Sequence, residues 1–217
     1  MRHAVSSIAF AVLGFGVALS AIAQDSKEAV AIVEEISPGV KDLQRFDLIS
    51  DGRAIDLGKD GRVVLGYLKS CWQDSVTGGR VIVEQQKSLV YGGELSRRRV
   101  ECDAAGLSRM TSEASARGGT SLVAAALPEP DLILHGRSPI VVAARSGTLL
   151  IERLDAASAL VRIDLSAMRF DLSEKNVALE TNGLYRLSHG NSAIVVRVDA
   201  LAEAGRAPAA GRLVIFR

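Results

Sequence analysis

The 217-residue chain carries 26 Lys and Arg against 25 Asp and Glu, a net charge of +1, with 48% hydrophobic and only 4% aromatic residues. This balance excludes nucleic acid and anionic lipid as main partners, because both demand a basic excess to neutralise phosphate. The length suits one large domain or two small ones.

Residues 1–23 have the layout of a secretory signal peptide. Arg2 and His3 give a weakly basic start and an apolar run extends from Ile8 to Leu19. Ala21 and Ala23 flank Ile22 ahead of Gln24, the small-residue pattern that predicts cleavage between Ala23 and Gln24. The apolar run is about a dozen residues against the roughly 20 of a spanning helix, so cleavage is expected and no stable membrane span afterwards. Loss of Arg2 then leaves acidic and basic residues balanced. The expected location is the periplasm or the medium.

From Ala29 to Asp103 short apolar or alternating runs are separated by glycine turns, with no competing helical period. Strands are predicted at Ala29–Ile36, Arg53–Leu57, Val63–Leu68, Val81–Val83 and Leu89–Tyr91. Asp51-Gly52, Asp60-Gly61, Gly78-Gly79 and Gly92-Gly93 supply the residues that accept positive φ between them. Asp60-Gly61 sits between two alternating segments, which predicts a hairpin over Asp56–Tyr67.

Residues 105–128 read as an interdomain connection. They are small and polar, with paired Gly118-Gly119 and the closing Pro128-Glu129-Pro130 that end any long helix. The alanines suit a helical turn or two. From residue 129 to 217 the strand pattern returns at Leu132–Leu134, Ile140–Ala143, Thr148–Arg153, Leu160–Leu165, Tyr185–Leu187, Ala193–Val198 and Leu213–Phe216. This density of short strands is that of a sandwich. Asn182-Gly183 is a turn signal, Asp199–Gly205 has local helical propensity, and the apolar end at Phe216-Arg217 predicts a docked C-terminus. The expected fold is all-β, two small antiparallel β domains over 28–104 and 129–217 after a signal peptide.

Cys71 and Cys102 are the only cysteines, and outside the reducing cytoplasm an even count predicts a disulfide. There is no Cys-x-x-Cys, and with His3 removed only His135 and His189 remain, so no cofactor or metal is expected. Asp56, Asp60 and Gly61 have the oxygens and turn of a calcium loop, but the alternating acids and closing glutamate of an EF-hand are missing and a solvated hairpin is the better reading. His135 and His189 lie near serines and aspartates without a Gly-x-Ser-x-Gly elbow, and Ser188-His189-Gly190-Asn191 reads as a polar turn. A secreted hydrolase using either histidine is the alternative function. Arg97-Arg98-Arg99 is the densest charge run; in a strand Arg97 and Arg99 share one face and Arg98 takes the other. The run fits a charged edge strand, with Arg97 and Arg99 as candidate contacts to an anion or partner. Trp72 adjoins Cys71 and is expected to pack near the disulfide.

Gly52, Ile55, Leu57, Gly61 and Leu65, within Phe46–Leu65, together with Thr77–Val83, resemble the periplasmic β-domain of the FecR family. Residues 131–199 are similar in layout to the immunoglobulin-like modules that follow such domains, without the cysteine–tryptophan–cysteine arrangement of antibody domains. The signalling members carry a cytoplasmic segment and a membrane helix, for which the expected cleaved signal peptide would leave no place. The resemblance therefore implies a non-catalytic β-module that binds or scaffolds another envelope protein or polymer. A self-assembling structural envelope protein is the remaining alternative.

Overall fold

In the computed structural model, which describes residues 28–112, 127–205 and 207–217, the chain is all-β. The signal-peptide reading, with its Ala23–Gln24 cleavage, and most of the connecting segment lie outside the described residues. The first region is one antiparallel sheet of β1 (Ala29–Ile36), β2 (Leu48–Ser50), β3 (Ala54–Tyr67), β4 (Trp72–Val83), β5 (Ser88–Tyr91) and β6 (Glu94–Arg99). Its order is β2-β1-β3-β4-β5, with β6 also on β4. Strand β1 is apolar on both faces because it serves two cores: Ala31 and Val33 face the sheet's own core, and Ile32 joins the core of the second region.

The expected hairpin over Asp56–Tyr67 does not form. Asp60 and Gly61 lie inside the single long strand β3, in a bulge where Gly58 faces Gly79 and Arg62 faces Thr77. The extra residues are absorbed because β4 distorts at the same level: Gly78 and Gly79 take φ of +70° and +71°, and a Cβ on Gly79 would collide with the Tyr91 carbonyl. Gly92 and Gly93 separate β5 from β6 at that level too. Glycines expected as separate turns thus form one line across the sheet, and beyond it the sheet bends so that Ile55, Leu57, Val81 and Val83 join one core with Val63, Leu65 and Val76. The chain reverses instead at 68–71, where the Cys71 amide donates to the Tyr67 carbonyl at 3.0 Å.

A buried polar cluster holds the bent halves together. The Asp74 carboxylate is fully buried and accepts from Arg97 Nε (2.6 Å), Arg97 Nη2 (2.8 Å) and the Ser88 amide (2.7 Å). The Tyr67 hydroxyl meets Ser88 Oγ at 2.9 Å. Cys71 and Cys102 form the expected disulfide, closing a sequence separation of 31.

The segment expected to connect two domains begins with a docked helix, α1 (Ala104–Thr111). Asp103 caps it through Oδ1, which accepts from the Gly106 amide at 2.9 Å, and Leu107 and Met110 are buried in the core of the second region. That core also takes Ile32, Phe46 and Leu68 from the first region, so apolar packing is continuous between the two.

The second region comprises β7 (Leu132–Gly136), β8 (Ile140–Ala143), β9 (Gly147–Arg153), β10 (Val161–Leu165), β11 (Arg169–Asp171), β12 (Leu184–His189), β13 (Ser192–Glu203) and β14 (Leu213–Phe216). They make a five-stranded sheet, β10-β9-β12-β13-β7, and a three-stranded one, β11-β8-β14. Pairing here is mixed where only antiparallel pairs were expected: β13 runs parallel to β7 and β14 parallel to β8. Asn182-Gly183 forms the expected turn into β12, with Asn182 at φ +60°. The helical propensity of Asp199–Gly205 is overridden: β13 continues to Glu203, whose carbonyl accepts from the Arg137 amide at 3.0 Å beside β7. The C-terminal β14 is buried along its whole length, docked as expected. Among the described residues no helix is long and apolar enough to cross a membrane.

Candidate binding cleft

The loop between β1 and β2 crosses from the first region onto the second and opens a cleft there. At its centre Phe46 holds a left-handed backbone, φ +68°, which is costly for an aromatic residue, about 1–3 kcal/mol. The Phe46 amide donates to Val33 at 2.7 Å and its ring is buried in the second core, so this conformation is enforced from both sides. The turn leaves the guanidinium of Arg45 4.3 Å above the Phe46 ring, at the mouth of a cleft of about 710 Å³. The opposite walls are Ala144–Ser146, after β8, and Ser166–Arg169, before and at the start of β11.

Three arginines line this cleft in different electrostatic settings. Arg45 Nε donates to the Glu34 carbonyl at 3.0 Å, and its terminal nitrogens lie 3.4 Å from Glu174 and 3.6 Å from Asp171. Arg169 pairs with Asp47 at 2.5 Å, tying the β1–β2 loop to the second region. Arg145 has no carboxylate partner among the described residues, and Met168 beside it is 49% exposed. Cation and apolar surface are therefore offered together.

The floor rests on a buried ion pair. Asp171 and Arg212 are each 1% exposed and form two hydrogen bonds of 2.9 and 2.8 Å, while Arg212 also donates to the carbonyls of Ser138 and Ala207. Burial alone would raise the Asp171 carboxyl, but Arg212 and Ser173 prevail and hold it below the usual carboxylate range. On the far side of Arg45 a second hollow of about 440 Å³ is lined by Glu34, Gln73 and Arg98. Glu34 Oε2 accepts from Gln73 Nε2 at 2.6 Å, while Oε1 has no hydrogen-bond partner among the described residues. Burial pushes the Glu34 carboxyl above the usual range; the amides of Ala209 and Ala210, too poorly placed for formed hydrogen bonds, the Gln73 amide and the Arg212 charge pull the other way without overcoming it.

The residues singled out from sequence lie elsewhere. The register of β4 against β6 sets Asp74 opposite Arg97, Gln73 opposite Arg98 and Trp72 opposite Arg99. Arg97 and Arg99 share a face, as the alternation predicts, but Arg97 is engaged by Asp74 and Arg99 lies 5.5 Å from the Trp72 ring. His189 is buried with Nδ1 3.2 Å from the Thr148 carbonyl and Nε2 3.1 Å from that of Arg145, and its ring lies 5.7 Å from Phe216. It braces the Arg145 turn from beneath. His135 Nδ1 lies 3.9 Å from Asp199 on another strand.

No family model, curated protein or solved structure matches the chain. The cleft must be read from its own chemistry. Its residues come from stretches around 45, 145 and 168, with no motif linking them, and the only local signal was the aromatic Phe46 next to Arg45.

Proposed function

We propose that the chain is an exported, non-catalytic envelope protein that binds another periplasmic protein or polymer in the cleft between its two β-regions. The observation that carries this reading is the unfavourable backbone of Phe46, held where it presents Arg45 to the cleft opposite Arg145 and Met168. Guanidinium groups bind carboxylate or other anionic groups through paired hydrogen bonds, and Met168 supplies adaptable apolar contact beside them. The signal-peptide layout of residues 1–23 and the Cys71–Cys102 disulfide support export. Resemblance of the first region to the FecR β-domain, and of the second to immunoglobulin-like modules, supports a binding rather than a catalytic role.

A photo-crosslinking residue at Met168 of the exported protein tests the reading. The expected result is a discrete adduct that weakens with Arg145→Glu and is missing when the crosslinker sits at Tyr91, outside the cleft. An adduct indifferent to Arg145→Glu, or none at all, overturns it.

A further inference from the structure

The open edges of the two larger sheets are guarded unequally. The β7 edge is covered: the Ile133 amide donates to Asp103 Oδ2 at 3.0 Å and Arg109 donates to the Asp131 carbonyl at 2.7 Å. At the edge of the first sheet β2 is only three residues long, and β6 carries Arg97, Arg98 and Arg99. Edge strand β10 is neither as short as β2 nor charged with a single sign, since its two charges, Arg162 and Asp164, are opposite. It is five residues in unbroken register with β9, without proline or bulge, and the chain leading into it is exposed.

Its two faces are also unlike. Leu165 is 3% exposed and Ile163 packs against the core, yet Val161 on that same face is 43% exposed at the sheet margin. On the outer face Arg162 has no carboxylate partner among the described residues. Asp164 accepts one hydrogen bond from Thr148 Oγ1 at 2.9 Å.

We propose that two copies of the chain pair antiparallel through β10, centred on Ile163, joining their five-stranded sheets across a twofold axis. In that register Arg162 faces Asp164 of the second copy, and Asp164 faces its Arg162. Val161 is covered by Leu165 of the other copy, which completes the apolar face. Slipping by two residues sets Arg162 against Arg162 or Asp164 against Asp164, and slipping by one mixes polar with apolar faces. Charge and pattern together select one arrangement, an isologous dimer. This pairing is independent of the cleft.

Sedimentation of the purified chain over a range of concentrations, with hydrogen exchange of β10, tests it. The wild type should dimerise reversibly with protection of residues 161–165 in the dimer. Arg162→Asp or Asp164→Arg alone should weaken association at least about tenfold by placing like charges opposite each other twice. The double swap Arg162→Asp/Asp164→Arg should restore it, because the pairs re-form with signs exchanged. Arg145→Glu in the cleft should leave dimerisation unchanged. A wild type monomeric at every concentration, a dimer indifferent to the single reversals, or a double swap that stays monomeric overturns the proposal.

Discussion

In the first region β3, β4 and then β5 and β6, both paired with β4, follow one another along the chain, all antiparallel, and the fully buried carboxylate of Asp74 is matched by an arginine directly opposite it on a neighbouring strand. The second region closes on itself differently: β7 meets β13 and β8 meets β14 in parallel, strands drawn from the beginning and end of the region. Its buried carboxylate Asp171 is matched by Arg212, brought back on the segment leading into β14. Where contacts are local, turn chemistry specifies the pairing; where they are distant, a buried ion pair and a docked terminus hold the closure.

Removing one partner of the distant pair should have the largest effect. Asp171→Ala strands the Arg212 guanidinium at 1% exposure, for an expected loss of about 3–5 kcal/mol in denaturant unfolding. Replacing Cys71 and Cys102 together releases a link of 31 residues between the first region and α1, with an expected loss of about 3–4 kcal/mol in the same assay. Asp74→Ala should cost less than Asp171→Ala, about 2 kcal/mol, because the Arg97 side chain is 28% exposed and can turn to water. If the two aspartate variants lose equal stability, the contrast between the regions fails.

The smallest effect concerns pH. Glu34 is held above the usual carboxylate range, so the folded state retains its proton longer than the unfolded chain. Its stabilising contribution is full below the unfolded pKa and is lost as pH rises through the folded one. Asp171, held low, runs oppositely: its contribution is present above the unfolded pKa and is lost as pH falls through the folded one. Measured across the acidic range, the unfolding free energy of the wild type relative to that of Glu34→Gln should fall as pH rises, because only the wild type carries this ionisation.

Much of the strand content was legible because apolar runs such as Ile140–Ala143 and Leu213–Phe216 admit little else, and the opposed faces of Arg97 and Arg98 followed from the period of a strand. Asp60-Gly61 misled because a bulge and a hairpin turn ask for the same residues; only the matching distortion at Gly78-Gly79 on the neighbouring strand decides between them. Asp199–Gly205 misled because its helical propensity is weaker than the pairing that carries β13 to Glu203 beside β7. Arg45, Arg145 and Met168 carry no common signal in one dimension.

By itself the sequence determined an all-β chain, most of its strand cores and the Cys71–Cys102 bond, because alternation, turn chemistry and a count of two cysteines are local or exhaustive. The tertiary structure decided the bend along the glycine line, the parallel closures, the Asp171–Arg212 pair and the cleft at Phe46. Each of these depends on groups far apart in the chain meeting in a dry interior, where geometry and charge must be satisfied together.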